Sequence, residues 1–320
     1  MISLQQKVFT ALNQKLPSSY CTLVVAISGG ADSLALTLLA NEYAKLKNFA
    51  LEAVTIDHRL RPESAEEAAT VANILKAFGI SHHTLVWQHE DKLNRVHEQA
   101  RTARYQLLTE FCKKYEQPFL LTAHHAQDQI ETILMRFFKG SGPAGFQGIQ
   151  SIRHESNVPI IRPLLEVFPQ DLRTYLQAQN IQWIEDPSNT DDHYERTRVR
   201  QLVKHIKDLG WQEEGIITSA TKIYTLHQSL ENFVNEYEKD FVIENNPLTV
   251  DQSIFFKSPI HVQKEWLRNA IWTIGKASYP KPYDTIEAIL GILKQPKVDG
   301  YKVAGCIINV AKKKISFQKA

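Results

Sequence analysis

The segment from Val24 to Ala40, VVAISGGADSLALTLLA, joins two apolar runs through a polar, glycine-rich break at Ser28–Ser33. The first run is continuously apolar, as in a buried strand, and the second has the spacing of a helix. A strand that ends in two glycines and leads into a helix exposes backbone N–H groups, and the helix dipole adds partial positive charge there. The break therefore predicts a phosphate-binding turn between a strand and a helix.

Asp32 is unusual in such a turn, because a carboxylate beside phosphates is repulsive unless a cation bridges them. Mg²⁺ combines few protein ligands with phosphate oxygens and would resolve the repulsion. The alternative is an ordinary strand–turn–helix connection in which Asp32 caps the helix. Capping needs one such residue, whereas here several polar and glycine residues occur together: Ser28, Gly29, Gly30, Ala31, Asp32 and Ser33.

Short apolar runs alternate with helical patterns from Thr22 to about Lys207. The alternation predicts an α/β domain with a doubly wound parallel sheet that helices cover on both faces. The predicted strands are Thr22–Ser28, Leu51–His58, His83–Trp87, Pro118–His124 and, more weakly, Val158–Leu165. The predicted helices are Ser33–Lys45, Ser64–Phe78, Leu93–Tyr115, Gln127–Lys139 and Gln170–Gln179. Ligands of such sheets bind beyond the carboxyl ends of the strands, which points to Ser28, Asp57 and Thr122–His124.

The pattern changes after Gly210, where a longer helix, Glu213–Phe241, is predicted. Two more helices are predicted at Val262–Ile274 and Thr285–Leu293, and Tyr301–Gln318 alternates like a small β element. We therefore expect two domains, residues 1–209 and a smaller, mainly helical domain at residues 210–320 that ends in a short β element.

Composition narrows the functional classes. The net charge is only +2, so a nucleic-acid surface would have to be a local patch. The three cysteines form no CxxC pair and no disulfide framework, which favours a reducing cytoplasm. No apolar run approaches the ~18 residues of a membrane span, and Met1–Leu16 has the spacing of a short packed helix rather than a signal peptide. We expect a cytoplasmic protein without membrane contact.

Neither of two other common phosphate-binding motifs predicts a site in this chain. No Walker-type GxxxxGKS/T string occurs. A GxGxxG string occurs at Gly140–Gly145, but it follows a predicted helix rather than a strand, so it does not predict a dinucleotide site. The string could be a flexible cover over a site or a helix C-cap at Gly140 followed by a turn, and the sequence leaves both open.

A second polar group, His124, His125, Asp128 and Glu131, opens the helix after the fourth predicted strand. Side chains three or four residues apart share a helix face, so His124 and His125 can each align with Asp128. Structural zinc is not favoured, since there is no HExxH motif and no nearby cysteine. Helix capping is an alternative role for the histidines, and Asp128 is the stronger functional candidate.

Arginines supply two basic groups. Arg101 and Arg104 lie one turn apart on an otherwise apolar helix, where they could bind phosphate bidentately or form a salt-bridged surface. A later group comprises Arg196, Arg198, Arg200, Lys204, His205 and Lys207, after the acids Asp191, Asp192 and Glu195. Helix-dipole complementarity explains this order, and its charge density also fits a polyanion contact.

Together these motifs resemble the tRNA(Ile)-lysidine synthase family of PP-loop (N-type) ATP pyrophosphatases. Ser28–Ser33 is similar to the SGGxDS pyrophosphate loop of that superfamily. The other similar strings are Ile56–Arg61, Ala100–Tyr105, Thr122–Thr132, Arg162–Leu165 and Glu185–Arg200. The similarity covers roughly residues 20–207 and is weak beyond Gly210, and Arg59 stands where a glycine is common.

The resemblance implies a ligase that uses ATP and Mg²⁺ to join free L-lysine to C2 of the wobble cytidine in the CAU-anticodon tRNA(Ile), through an adenylated cytidine. The implied ATP-binding residues are Ser28, Gly29, Gly30, Ala31, Asp32, Ser33, Ile56 and Asp57. The implied catalytic residues are Asp32, which also binds Mg²⁺, Arg101, Asp128 and Arg200. The implied substrate-binding residues are His124, His125, Asp128 and Arg104.

Three other functions remain open at the level of sequence. A tRNA thiolase would need paired or cluster-ligating cysteines, and Cys21, Cys112 and Cys306 lie far apart. A catalytically silent tRNA-binding protein would not need Asp32 and Asp128 together. An ammonia-using amide synthetase is weakly disfavoured by the later basic group. The oligomeric state is undetermined, and a homodimer is compatible with the sequence.

Overall fold

The computed structural model describes residues 3–59, 64–88, 96–185, 195–277 and 280–320. The chain forms two compact units, Met1–Thr221 and Lys222–Ala320. Some residues named above lie outside the described ranges: Leu60, Arg61, Leu93, Asp186, Pro187, Ser188, Asn189, Asp191, Asp192 and Tyr194.

A six-stranded sheet in the order β3-β2-β1-β4-β6-β5 forms the centre of the first unit. Its strands are β1 Thr22–Ala26, β2 Ala50–Asp57, β3 Ser81–Val86, β4 Pro118–Leu121, β5 Ile152–Glu155 and β6 Val158–Ile161. All neighbours are parallel except β5, which pairs antiparallel with β6. The predicted doubly wound parallel sheet is confirmed. Strand β5 was missed because this short edge strand has little apolar pattern.

Helices cover both faces of this sheet. They are α1 Leu4–Asn13, α2 Ala31–Lys47, α3 Ser64–Ala77, α4 Val96–Cys112, α5 Ala126–Phe138, α6 Pro169–Ala178 and α7 Glu195–Asp208, with a 3₁₀ helix at Pro143–Gln147. Leu23 and Val25 pack on the face with α2 and α6, whereas Val24 packs on the opposite face with α4. Strand β1 is therefore buried on both faces, which explains its uninterrupted apolar sequence.

The division between the two units lies inside helix α8, Glu214–Phe241. Ile216 and Ile217, in its first turn, pack against a small core of α5 and α7 in the first unit. The expected boundary at Gly210 is the end of α7, where the glycine has a φ of +84°. The division at Thr221 falls later, because the start of α8 contributes apolar side chains to the first unit.

The second unit combines helices with a five-stranded antiparallel sheet in the order β7-β8-β11-β10-β9. Its strands are β7 Val242–Asn245, β8 Leu248–Asp251, β9 Val298–Val303, β10 Cys306–Ala311 and β11 Lys314–Lys319. Helices α9 Gln252–Phe255, α10 Ile260–Gly275 and α11 Tyr283–Leu293 accompany the sheet. Its core is rich in aromatic contacts around Trp266, such as Phe241 at a ring distance of 5.1 Å. The predicted helices are present, and hairpin β7–β8 makes the β element larger than expected.

None of the helices in the described residue ranges combines the length and the apolar character needed to cross a bilayer.

Candidate active site

The site lies where the strand order reverses. Strand β1 has β2 on one side and β4 on the other, so the segments after β1 and β4 emerge side by side at one edge of the sheet. Ligands of open α/β sheets bind at such a switch point. This topology brings the loop Ser28–Ser33 next to His124 and His125, although about ninety residues separate them in sequence.

The glycine-rich loop is held by its own serines. The Oγ atom of Ser33 accepts a hydrogen bond from the Ser28 amide at 3.1 Å and donates to the Gly30 carbonyl at 3.0 Å. Helix α2 begins at Ala31, and its N-cap, Gly30, makes no side-chain cap bond. The alternative in which Asp32 serves as the cap is therefore not what the structure contains. The first helix amides have no intrahelical acceptor and suit an anion.

Gly29 makes this loop compact. Its φ is +88°, and its carbonyl accepts a hydrogen bond from the Ile184 amide at 3.0 Å. A Cβ atom at this position would lie 2.8 Å from both Ile184 Cδ1 and Val71 Cγ2. The loop is therefore packed against two other segments of the first unit, and only glycine fits there.

His125 connects the two acids that the sequence singled out. Its Nε2 lies 3.5 Å from Asp32 Oδ2, and its Nδ1 lies 3.5 Å from Asp128 Oδ2. Asp128 and His125 also form a reciprocal cap of α5: the Asp128 amide donates to His125 Nδ1 at 3.3 Å, and the His125 amide donates to Asp128 Oδ2 at 3.1 Å. Because Nδ1 accepts from an amide, the neutral ring carries its proton on Nε2, facing Asp32.

The electrostatics of His125 follow from this arrangement. Burial disfavours the charged imidazolium, but the hydrogen bond with Asp32 and the carboxylate charges of Asp128 and Asp32 outweigh it, so the pKa of His125 is raised. The histidine therefore acts as both a helix cap and a link between the phosphate loop and α5. The capping role that the sequence left open is present in His125, and its substrate-binding role stays a prediction.

Asp32 also has an oxygen that suits a cation. Its side chain is about one-third exposed, yet its Oδ1 is buried and has no hydrogen-bond partner among the described residues. The described ranges contain no group of three or more histidine, cysteine or acidic side chains that could enclose a metal ion. One carboxylate oxygen beside a phosphate loop fits Mg²⁺, which takes most of its other ligands from phosphates and water.

His124 faces a different set of charges. Its Nδ1 lies 3.1 Å from the Thr122 hydroxyl. Burial, together with the guanidinium charges of Arg162, Arg104 and Arg101, lowers the pKa of His124 to about 3, although the charge of Asp128 opposes this shift. The ring is therefore neutral at physiological pH. Consecutive residues of an extended segment point to opposite sides. The His125 side chain therefore lies beside Asp32, whereas the His124 side chain lies on the side of the arginines.

Arg101 and Arg104 lie on α4 beside Tyr105. Their guanidinium carbons are 5.3 and 5.8 Å from the Tyr105 ring centroid. Arg101 is exposed and Arg104 is half-buried. Within the described ranges neither arginine makes an ion pair with an acid, so the described residues do not contain the salt-bridged surface that the sequence left as an alternative.

Arg200 lies on α7 and pairs with an acid on α5. Its Nε donates to Glu131 Oε1 at 2.5 Å, and the Glu131 side chain is fully buried. Burial raises the pKa of Glu131, although the hydrogen bond and charge of Arg200 oppose this rise. The sequence motifs predict a catalytic role for Arg200 but do not indicate its pairing with Glu131, because the two residues are 69 positions apart.

We expect Arg200→Ala to lower the free energy of unfolding by about 2 kcal/mol. Removing one partner of a buried ion pair costs about 3–5 kcal/mol, and the partial exposure of Arg200 reduces this cost. Urea denaturation would measure the change, with the exposed Arg198→Ala on the same helix as the control, for which we expect less than about 0.5 kcal/mol. Equal losses in the two variants would show that the pair contributes nothing.

The segment after β2 forms a tight local turn. Asp57 is buried, and its Oδ1 accepts a hydrogen bond from the Arg59 amide at 2.9 Å. Arg59 has a φ of +50°, in the region that favours glycine. The backbone thus adopts the conformation that a glycine would provide at this position. Ile56, half-buried at the end of the same strand, lies at the sheet edge where ligands bind.

The GxGxxG segment is a structured connection after α5. Gly140 has a φ of +70° directly after the C-cap Lys139, which is a helix C-cap arrangement. Arg136 Nη1 donates to the carbonyls of Gly145 at 3.3 Å and Gly148 at 2.8 Å. The structure thus favours the C-cap interpretation over that of a loosely held cover.

Comparison with known proteins agrees with this geometry. Residues 3–206 match the family model of the PP-loop domain. Proteins called tRNA(Ile)-lysidine synthase are similar over most of the chain. The one from Orientia tsutsugamushi is 33% identical, covering 89% of this chain and 67% of the relative. The one from Ruegeria pomeroyi is 31% identical, covering 92% and 70%. The one from the Wolbachia strain wMel is 32% identical, covering 89% and 68%.

A solved structure shares the fold. The U34-tRNA thiolase NcsA from Methanococcus maripaludis superimposes with a TM-score of 0.57 at 18% identity, covering 69% of this chain and 77% of the thiolase. That likeness shows the fold alone. The family follows from the sequence matches: the chain belongs to the PP-loop family and, within it, to the tRNA(Ile)-lysidine synthases.

Proposed function

We propose that the protein joins free L-lysine to C2 of the wobble cytidine in tRNA(Ile) with a CAU anticodon, in the cytoplasm. Its family membership makes it a tRNA-modifying ligase with a PP-loop ATP-binding domain. The observation that supports the proposed residue roles is the contact between Asp32 and His125, because it connects the phosphate loop to the helix that bears Asp128.

In the first step, the C2 oxygen of cytidine attacks the α-phosphorus of ATP, the bond to pyrophosphate breaks, and pyrophosphate leaves. The amides at Gly29 and Gly30 and the hydroxyl of Ser28 bind the departing phosphates, while Ser33 supports the loop through its hydrogen bond to the Gly30 carbonyl. Mg²⁺, held through Asp32, would offset the repulsion between that carboxylate and the phosphates. Arg101 stabilises the charge at the α-phosphate, since phosphoryl transfer depends on such electrostatic stabilisation.

In the second step, the lysine ε-amine attacks C2, the bond from C2 to the AMP oxygen breaks, and AMP leaves. The amine must lose a proton, and Asp128 orients the amine or accepts the proton, an assignment supported by the contact between His125 and this carboxylate. His124 contributes through its neutrality: a ring that stays uncharged near neutral pH does not repel an incoming ammonium group. Arg200 retains its proposed role near the phosphates, with its guanidinium oriented by Glu131.

The buried cysteines weigh against the thiolase alternative. Cys21 and Cys112 lie in separate hydrophobic clusters on opposite faces of the sheet, and Cys306 is buried in the core of the second unit. Burial raises the pKa of Cys21 to about 11 and that of Cys112 to about 12. Such thiols are poor sources of the thiolate that sulfur transfer requires.

The basic surface of α7 fits an RNA partner. Arg196, Arg198, Lys204 and His205 are exposed on this helix, whereas Val199 and Val203 are buried. Exposed cations on one helix favour contact with a phosphate backbone. We propose that this surface and the second unit contact the tRNA, and that a homodimer is one assembly to test by light scattering.

We expect labelled lysine to enter the RNA when the protein is incubated with ATP, Mg²⁺ and a transcript of tRNA(Ile) with the CAU anticodon. The matched control is the same transcript with the wobble cytidine replaced by uridine, which should remain unlabelled. Sulfur incorporation would contradict the proposal. So would the absence of label in a transcript that another lysidine synthase can modify.

A further inference from the structure

Four arginines surround the buried side chain of Tyr105, and we call them the arginine cluster: Arg101, Arg104, Arg153 and Arg162. The Arg153 guanidinium carbon lies 4.5 Å from the ring centroid of Tyr105, closer than those of the two arginines on α4. Arg153 belongs to β5, and Arg162 follows β6 directly. The β5–β6 hairpin therefore adds two cations, of which Arg162 begins the family-like string Arg162–Leu165 and Arg153 lies in none of the sequence motifs.

The cluster has more positive charge than its described neighbours balance. Arg153 Nη2 pairs with Glu155 at 3.0 Å, which is the one ion pair to an acid that the cluster makes within the described ranges. Arg162 is only 4% exposed, and its Nη1 donates to the Gln150 carbonyl. The Nε atoms of both Arg153 and Arg162 are buried without a hydrogen-bond partner in the same ranges. Burying unpaired hydrogen-bond donors and like charges costs free energy unless an acceptor binds to them.

Tyr105 explains how the cluster can exist without an acid at its centre. An aromatic face attracts a guanidinium group through its quadrupole but does not neutralise it. The Tyr105 ring therefore stabilises the guanidinium groups beside it, and their positive charge can still bind an anion. Burial lowers the pKa of both Arg104 and Arg162, yet arginine stays charged in proteins. A preassembled group of this kind suits phosphate, which accepts bidentate hydrogen bonds from arginine.

Position distinguishes this group from the triphosphate loop. The loop precedes α2 and reaches α5 through Asp32 and His125, whereas the cluster lies on the α4 side, beside His124. Arg153 is on the edge strand of the sheet, which a macromolecule can approach. We propose that Arg153 and Arg162 bind a backbone phosphate of the tRNA next to the wobble cytidine, an inference that rests on the proposed function.

The test is a salt series of tRNA binding with the full chain. Arg153→Gln should weaken tRNA binding about fivefold and reduce the slope of log affinity against log salt by about 1. Its affinity for ATP should stay within about twofold of the original. Arg153→Lys, which keeps the charge, should recover most of the slope. Arg173→Gln, an exposed arginine on α6 on the opposite face, removes the same charge and should leave the slope unchanged.

A second variant has an expected effect of opposite sign. Glu155→Gln removes the acid paired with Arg153, so it should strengthen tRNA binding about twofold. A purely structural role for the hairpin predicts weaker binding in both Arg153→Gln and Glu155→Gln, and that result would overturn the proposal. An unchanged slope in Arg153→Gln, or a loss of ATP affinity with tRNA affinity intact, would overturn it as well.

The outcomes separate this inference from the proposed function. If the variants change the salt dependence of tRNA binding as expected but the unaltered protein incorporates no lysine, the proposed reaction fails and the phosphate site stands. If lysine is incorporated but the Arg153 and Glu155 variants bind tRNA like the unaltered protein, the phosphate site fails and the reaction stands.

Discussion

Asp32→Asn should lower the rate of lysine incorporation by about 10³-fold, the upper range for removing one electrostatic contributor to a transition state. Asparagine has nearly the shape of aspartate and can still accept a hydrogen bond from His125, so the loop should keep its structure. It lacks the negative charge that we propose binds Mg²⁺ beside the triphosphate. The measurement is single-turnover incorporation of labelled lysine over a Mg²⁺ titration, in which the half-saturating Mg²⁺ concentration should rise.

The matched control is Asp171→Asn, an exposed aspartate in the first turn of α6. It removes the same charge from a similar helix position and should leave the rate unchanged. Binding of tRNA by the Asp32→Asn variant should also be unchanged, which would exclude unfolding as the cause. A rate within about tenfold of the original would mean that Asp32 has no electrostatic role in the transition state.

Gly29→Ala should lower the free energy of unfolding by about 2–5 kcal/mol and abolish measurable ATP binding. A left-handed backbone costs a residue with a Cβ about 1–2 kcal/mol, and overpacking adds about 1–3 kcal/mol. Both penalties apply, because the φ of Gly29 is +88° and its added Cβ would lie 2.8 Å from Val71 and Ile184 side-chain atoms. Urea denaturation and calorimetric titration with ATP would measure the two effects.

Gly79→Ala is the control that separates the two penalties. Gly79 also has a positive φ, +66°, but an added Cβ would meet no atom within 4 Å. This variant should therefore lose only about 1–2 kcal/mol and keep its ATP affinity. Equal destabilisation in the two variants would show that the packing of the loop against Val71 and Ile184 is unimportant.

The parallel sheet and the phosphate loop were predictable because each depends on local sequence. A strand buried on both faces needs a continuous apolar run, and β1 has one. A turn with positive φ and close packing needs glycine, and Gly29 provides it. The C-terminal hairpin β7–β8 was not predicted, because β7, VIEN, does not alternate and the alternation of β8, LTVD, extends over only four residues.

Contacts across the site could be predicted less well. The switch-point rule placed Ser28 and His124 at the same edge, but it did not indicate that His125 would touch Asp32 while His124 turned toward the arginines. The pairing of Arg200 with Glu131 also escaped sequence reasoning, since either residue alone is compatible with a surface helix. Such pairs depend on which strand neighbours which and on how helices pack above them.

The amino-acid pattern alone predicts the strand–loop–helix units, the glycine of the phosphate loop and the family to which the chain belongs, because periodicity, backbone angles and motif order are properties of short segments. The folded chain was needed to show that Asp32, His125 and Asp128 form one chain of contacts and that a hairpin completes the arginine cluster around Tyr105. Those arrangements require residues far apart in sequence to meet, and the order of strands in the folded sheet is what brings them together.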